Sequence, residues 1–314
     1  MRSTTVRTGR PHRLWDAIIV GAGPAGLSAA LILGRCTRRV LICDDGTPRS
    51  WAAHHVHGFL TRDGAGQDEF RGIARRELIA YPNVRWCEGS ATRISPLRDG
   101  HFRVGIRGAA PQQCRKVLLA TGVFDRLPPI PGIEDYFGTS AHPCPYCDGW
   151  EARGSAMAVY GRRQRGFEMA RAMTAWSPRF VLCTDGRSHF DAAQRRMLRA
   201  RHIELIEDRI ERLKGRSGKL EAIVFKGGRE LARDTLFFDT PSVMQSELAK
   251  TLGCAMTRTG RVRCGEFSQT NVPGIFVAGN MAQGVQLSIV AAADGARAAF
   301  GINRELTRED FATA

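Results

Sequence analysis

Residues 16–45 read DAIIVGAGPAGLSAALILGRCTRRVLICDD, and this stretch decides the fold. Ala17, Ile18, Ile19 and Val20 are an apolar run of strand length. Gly21, Gly23 and Gly26 follow in the spacing G-x-G-x-x-G, with Pro24 and Ala25 between them. Residues 27–34 are rich in alanine and leucine and predict a helix; residues 40–43 predict a second strand, closed by Asp44 and Asp45. Strand, glycine turn, helix and strand within about 30 residues make one βαβ unit. Each glycine has a separate physical reason: the tight turn, close backbone approach to a pyrophosphate, and helix–strand contact. The helix N-terminus offers free N–H groups to phosphate, and Asp44 stands where a carboxylate accepts from ribose hydroxyls. The unit predicts an α/β fold with a Rossmann-like, three-layer nucleotide-binding domain.

The rest of the chain bounds the reading. It has 314 residues, enough for two domains, and 43% hydrophobic residues, enough for substantial cores. The formal charge of +15 comes mostly from arginines scattered in runs no longer than two, without interleaved aromatics. That pattern argues against nucleic acid as a partner. The apolar run at 17–33 is glycine-punctuated and lacks a cleavage-site signature, and no other run reaches transmembrane length. Nine cysteines, of which a single pair has motif spacing, do not form a secreted disulfide framework. A cytoplasmic, non-membrane protein is expected.

Near the other end, residues 270–280 read TNVPGIFVAGN, an apolar strand running into a glycine turn. An alanine-rich helical stretch follows at 286–300. Ala120, Thr121 and Gly122 come after the apolar Val117, Leu118 and Leu119. In this order the motifs resemble the low-molecular-weight thioredoxin reductase group of flavoprotein disulfide reductases, over about residues 14–305. The resemblance implies FAD as cofactor. It places the contacts on Gly21, Gly23, Pro24, Ala25 and Gly26 at the pyrophosphate, and on Asp44, Asp45 and Arg49 beyond the second strand. Ala120, Thr121 and Gly122 stand at the crossover; Gly279, Asn280, Gln286 and Leu287 stand on the flavin side. Asn280 replaces the usual aspartate of that group and brings no charge. The stretches DDGTPR at 44–49 and HGFLTRDG at 57–64 resemble a branch of the group rather than its housekeeping thioredoxin reductases.

The stretch CPYCDG at 144–149, with His142 two residues ahead, carries the chemistry. Zinc needs a second ligand pair, and none has the spacing; no metal is expected. A structural disulfide is disfavoured in a reducing compartment. A dithiol that cycles with a disulfide is the reading the spacing supports. The resemblance implies that Cys147 faces the flavin, Cys144 exchanges with substrate and Asp148 moves protons. His142 lies outside the group's pattern and reads either as a general base or as a surface loop histidine.

A second glycine motif, at 156–170, has Arg163 where the middle glycine would admit pyrophosphate, and Asp185 stands after the next strand. An acid there repels the 2′-phosphate of NADPH. With the nicotinamide entry degraded, the expectation is oxidation of a small-molecule dithiol to a disulfide, O2 being the final acceptor. The resemblance supplies the comparison: this branch includes dithiol oxidases that close gliotoxin-, holomycin- and romidepsin-type disulfides. The alternatives are an NADPH- or ferredoxin-dependent reductase of a thioredoxin-type disulfide, and a redox-sensing FAD protein without fast turnover. Two Rossmann-like domains are expected, the second inserted into the first. Residues 1–123 with 241–314 form the FAD-binding domain, and 124–240 the central CxxC-bearing, NAD(P)-binding-like domain. Prolines 128, 129 and 131 stiffen the crossing, and residues 1–13 form a mobile tail. The resemblance implies a homodimer.

Overall fold

The computed structural model describes residues 14–49, 52–282 and 284–313. The expected tail at 1–13 lies outside these residues. The chain opens with β1 (Trp15–Val20), α1 (Pro24–Arg35), β2 (Val40–Asp44) and the short pair β3 (His55–Val56) and β4 (Ala65–Gly66). Helix α2 (Gln67–Ile79), β5 (Val84–Glu88), β6 (Ala91–Pro96), β7 (Phe102–Ile106) and β8 (Ala109–Leu119) follow, and β9 (Val123–Asp125) leads away. Next come β10 (Ala141–His142), α3 (Pro145–Ala152), β11 (Met157–Tyr160), α4 (Arg163–Met173), β12 (Phe180–Cys183), α5 (Ala192–Ala200) and β13 (Glu204–Ile206). The strands β14 (Ile210–Arg216), β15 (Lys219–Phe225), β16 (Glu230–Ala232) and β17 (Thr235–Phe238) complete this part. The chain returns through β18 (Ser242–Met244), α6 (Leu248–Thr251), β19 (Ile275–Val277) and α7 (Ser288–Ala312).

A seven-stranded sheet runs β5-β2-β1-β8-β7-β6, with β19 also paired to β8. Its centre is parallel, and the antiparallel β6 and β7 flank it. Parallel strands covered on both faces must be apolar on both faces. Ala17, Ile19, Val40 and Ile42 accordingly pack under α1 and α7, while Ile18, Val20, Leu41 and Cys43 join a second core with Val104 and Val117. Each large aliphatic side chain buried this way contributes roughly 1.5–3 kcal/mol. Helices α1 and α7 touch through small residues: a Cβ on Gly295 would sit 1.9 Å from the Ala25 carbonyl oxygen.

A second, wholly parallel sheet runs β10-β17-β11-β12-β13, with a three-stranded antiparallel sheet β14-β15-β16 packed beside it. The α/β, Rossmann-like class read from the glycine motifs is therefore the observed one. Between the sheets, β9 and β18 pair antiparallel, Asp125 opposite Ser242.

Element ends differ from the sequence reading for local reasons. Helix α1 begins at Pro24, because proline's fixed φ suits the first helical position. Helix α7 begins at Ser288, so Gln286 and Leu287 precede it, and it runs on to Ala312. The crossing is made by β9 and β18 rather than by the proline stretch: Ile130 there is buried, and the Pro131 carbonyl accepts from Leu213 N–H at 3.0 Å.

Candidate active site

A cleft of about 850 Å³ joins the first sheet's strand ends to the start of α3. Its floor is the β1–α1 turn. Gly21 has φ +104°, and a Cβ there would lie 2.4 Å from the Ala120 carbonyl oxygen; one on Gly26 would lie 1.9 Å from the Gly21 carbonyl oxygen. A Cβ on Gly23 would meet no protein atom within 4 Å. Gly23 is the N-cap of α1 and makes no side-chain cap, and no acid occupies the first turn, so this end is disposed toward an anion.

The far wall is the end of β2. Asp44 Oδ1 accepts from Ala22 N–H at 3.1 Å, and its Oδ2 pairs with Arg71 of α2 at 2.9 Å. Asp45 accepts from Thr47 Oγ1 at 2.6 Å and Ser90 Oγ at 2.8 Å. Burial alone would raise the Asp45 carboxyl, but these hydrogen bonds outweigh it and hold the group below the usual range. Arg49 lines the cleft with its guanidinium committed to Asp125, Nε and Nη2 each donating at 2.7 Å. Ala120, Thr121 and Gly122 form the middle; Thr121 N–H and Oγ1 approach Met281 Sδ at 3.2 and 3.0 Å. Gly279 (φ +70°), Asn280, Gln286 and Leu287 close the side opposite Asp44.

The same cleft reaches the sulfurs. Cys144 and Cys147 are joined in a disulfide, Cys144 as the N-cap of α3 and Cys147 in its first turn. The Cys147 and Asp148 N–H groups donate to the Cys144 carbonyl at 3.2 Å. His142 Nδ1 lies 3.4 Å from Asp148 Oδ1, and its ring lies 5.5 Å from that of Phe237. His142 is 8% exposed on β10, so the surface-loop reading is corrected: pairing with β17 draws the residue under the start of α3. All four sulfur-side candidates, and every candidate of the glycine side other than Gly26, line one cavity; Gly26 lies beneath, against Gly21.

Several lining residues were not read as site residues from the sequence. Arg71 is set by the register of α2. Tyr146, between the cysteines, is 70% exposed, with its ring edge-on to Trp176 at 4.9 Å. His55 and His57 face the cleft, His57 Nδ1 lying 3.5 Å from Glu151 Oε1 on α3. The quoted HGFLTRDG stretch contained that signal, but its partner on α3 is nearly a hundred residues away.

The second glycine turn is closed by its own chain. A Cβ on Gly166 would be 2.2 Å from the Gly161 carbonyl oxygen, so helix–strand contact is kept. Arg163 opens α4 with φ +53°, and its N–H donates to the Ser188 carbonyl at 3.1 Å. Asp185 is engaged by Arg162, by Ile210 N–H at 2.9 Å and, through its carbonyl, by Arg209 at 3.1 Å.

The chain belongs to the pyridine nucleotide-disulphide oxidoreductase family, whose model matches residues 15–295. It is 33% identical to thioredoxin reductase tcpT of Claviceps purpurea over 281 residues, covering 84% of this chain and 86% of that one. It is 28% identical to a probable thioredoxin reductase of Arthroderma benhamiae over 95% of this chain and 82% of that one. Among solved structures, that of HlmI superposes with TM-score 0.92 at 31% identity, covering 98% and 97% of the two chains. A putative thioredoxin reductase TrxB from Bacillus anthracis gives 0.90 at 31% identity, over 94% and 99%. The protein is an oxidoreductase of the thioredoxin reductase-like type, a group of FAD-binding flavoproteins, and its cofactor is FAD. The cleft fits that group: open space above Gly23, an uncapped helix N-terminus for the pyrophosphate and the Asp44 carboxylate for the ribose.

Proposed function

We propose that this chain oxidises a small-molecule dithiol to its disulfide, with Cys144–Cys147 as the immediate oxidant and O2 as the final acceptor. Residues 1–123 with 241–314 hold FAD in this reading, residues 124–240 present the sulfur pair, and the working unit is a homodimer. A substrate thiolate attacks Cys144 Sγ; the Cys144–Cys147 bond breaks and Cys147 leaves as thiolate. The second substrate thiolate then attacks the substrate sulfur of the mixed disulfide, closing the product bond and freeing Cys144. The two protons given up by the substrate fall to Asp148 and His142, whose side chains lie 3.4 Å apart. The N-terminal turn of α3 stabilises the Cys147 thiolate, since its aligned dipoles favour negative charge there. FAD, when bound, supplies a two-electron acceptor beside the pair that dioxygen can restore.

The observation that carries this reading is the contrast between the two glycine turns. The first opens on a cleft shared with the disulfide; at the second, Ser188 occupies the first N–H of α4 and Arg162 and Arg209 engage Asp185. A second reading, a thioredoxin-type reductase fed by NADPH or ferredoxin, draws support from relatives named thioredoxin reductase. Anaerobic mixing of the holoprotein with dithiothreitol or with NADPH separates the two. The expected result is bleaching of the flavin absorbance by the dithiol alone, with air restoring it and yielding peroxide. Rapid bleaching by NADPH, followed by reduction of an added thioredoxin disulfide, would establish the second reading.

A further inference from the structure

The first sheet carries a second pair of cysteines, remote in sequence and adjacent in space. Strands β2 and β5 are parallel, and their register sets Cys43 directly opposite Cys87. Neighbouring strands lie about 4.8 Å apart, within the Cα separation of roughly 4.4–6.8 Å that a disulfide spans. Both side chains leave the sheet on the same side. Cys43 belongs to the core that holds Ile94 and Val104, and Cys87 packs against that core. Their neighbours Ile42 and Trp86 face the opposite core. Cys43 is 1% exposed, and Cys87 is half-buried at the sheet's edge.

The two thiols are chemically unequal. A hydrogen bond with Cys43 lowers Cys87 to about 7, overriding the effect of its partial burial. The same hydrogen bond, with burial, raises Cys43 well above the usual thiol range. A cysteine buried without such a partner behaves otherwise: burial pushes Cys183 up to about 12. A low thiol on a half-buried edge residue, beside a protonated and buried one, is the arrangement of an attacking and a resolving cysteine.

We propose that Cys43 and Cys87 form a second redox site, distinct from Cys144–Cys147, that takes a hydroperoxide and closes to an inter-strand disulfide. The Cys87 thiolate attacks the peroxide: an S–O bond forms, the O–O bond breaks, and hydroxide leaves to become water. Cys43 sulfur then attacks the resulting sulfenic acid. The S–S bond forms, the S–O bond breaks, and the departing hydroxide leaves as a second water with the Cys43 proton. Two thiols lose two electrons and one hydrogen peroxide becomes two waters. The site lies beside the cofactor cleft, because Cys43 lines it and is followed directly by Asp44. Nothing in this chemistry depends on the direction of turnover at Cys144–Cys147.

The test is made on the FAD-loaded full chain with added hydrogen peroxide, followed by iodoacetamide, digestion and mass spectrometry. The expected product is a peptide pair joined through Cys43 and Cys87, two hydrogens lighter than its parts and released by dithiothreitol. Without peroxide, alkylation of Cys87 should show a midpoint near pH 7, where roughly half the thiol is ionised. Cys87→Ser should remove the crosslink, leave Cys43 reduced and leave turnover of a dithiol unchanged. Recovery of Cys87 as sulfinic acid beside an unmodified Cys43, or of both thiols still alkylatable after peroxide, would overturn the proposal.

Discussion

Gly23→Val should separate folding from cofactor retention. At Gly23 the backbone has φ −73° and ψ −179°, extended values open to any residue, and a Cβ meets no protein atom within 4 Å. Restricting the unfolded chain at such a position favours the fold by about 0.4–1 kcal/mol. Valine is a poorer N-cap than glycine by a comparable amount, so the two effects nearly offset. The apoprotein melting temperature should therefore move by no more than about 4 °C. The cofactor meets the opposite situation, because the valine side chain fills the open space at the helix N-terminus. Displacing the pyrophosphate from two charge-assisted hydrogen bonds, each worth about 1.5–3 kcal/mol, weakens FAD binding by roughly 10²- to 10⁴-fold. The assay is flavin absorbance per protein after purification, with calorimetric titration of FAD into apoprotein. Gly26→Val is the control that should not fold, since its Cβ would stand 1.9 Å from a carbonyl oxygen. Native FAD affinity in folded Gly23→Val, or unfolding as severe as the control's, would refute the reasoning.

Asp148→Asn should slow the dithiol half-reaction by roughly 10²- to 10⁴-fold with FAD binding intact, as stopped-flow reduction of the Cys144–Cys147 bond would record. Adding His142→Ala should then cost far less than the product of the two single effects, because the two side chains, 3.4 Å apart, receive the substrate's protons as a unit. Just past β13, a hydrogen bond from Arg195 of α5, with further ones from Ser188, lowers Glu207 from 4.5 to about 2. The sign follows for a depressed acid: its stabilisation is present above pH 4.5 and is lost as pH falls toward 2. Both partners are about a third exposed, so the contribution is discounted to about 1 kcal/mol. Glu207→Gln should remove that slope from acid denaturation curves.

What the sequence disclosed was local. The β1–α1–β2 unit was legible because strand, turn and helix are written in consecutive residues with a fixed glycine spacing. The CxxC was legible because both sulfurs share one helical turn. His142 could be read either as a base or as a surface residue, since its burial depends on pairing with β17, nearly a hundred residues later. The partnership of Asp44 with Arg71 and that of Arg49 with Asp125 depend on how α2 and β9 settle against the sheet. Arg163 and Asp185 were visible as departures from a pattern, but not the Ser188 carbonyl that closes the turn. The Cys43–Cys87 pairing needed the strand order, which no spacing reveals.

The pairing of β19 with β8 and the seating of α7 on α1 have a consequence for the order of synthesis. About 155 residues separate β8 from β19, on the order of 10–30 s of ribosomal travel. Throughout that interval one edge of β8 lacks its neighbour, and the small-residue face of α1 lacks the helix that fits it. The intervening second sheet, whose five strands all lie between residues 141 and 238, can be complete before the earlier one closes. The part of the chain made first is thus finished last, and a nascent chain halted before residue 275 presents an apolar surface to whatever surrounds the ribosome.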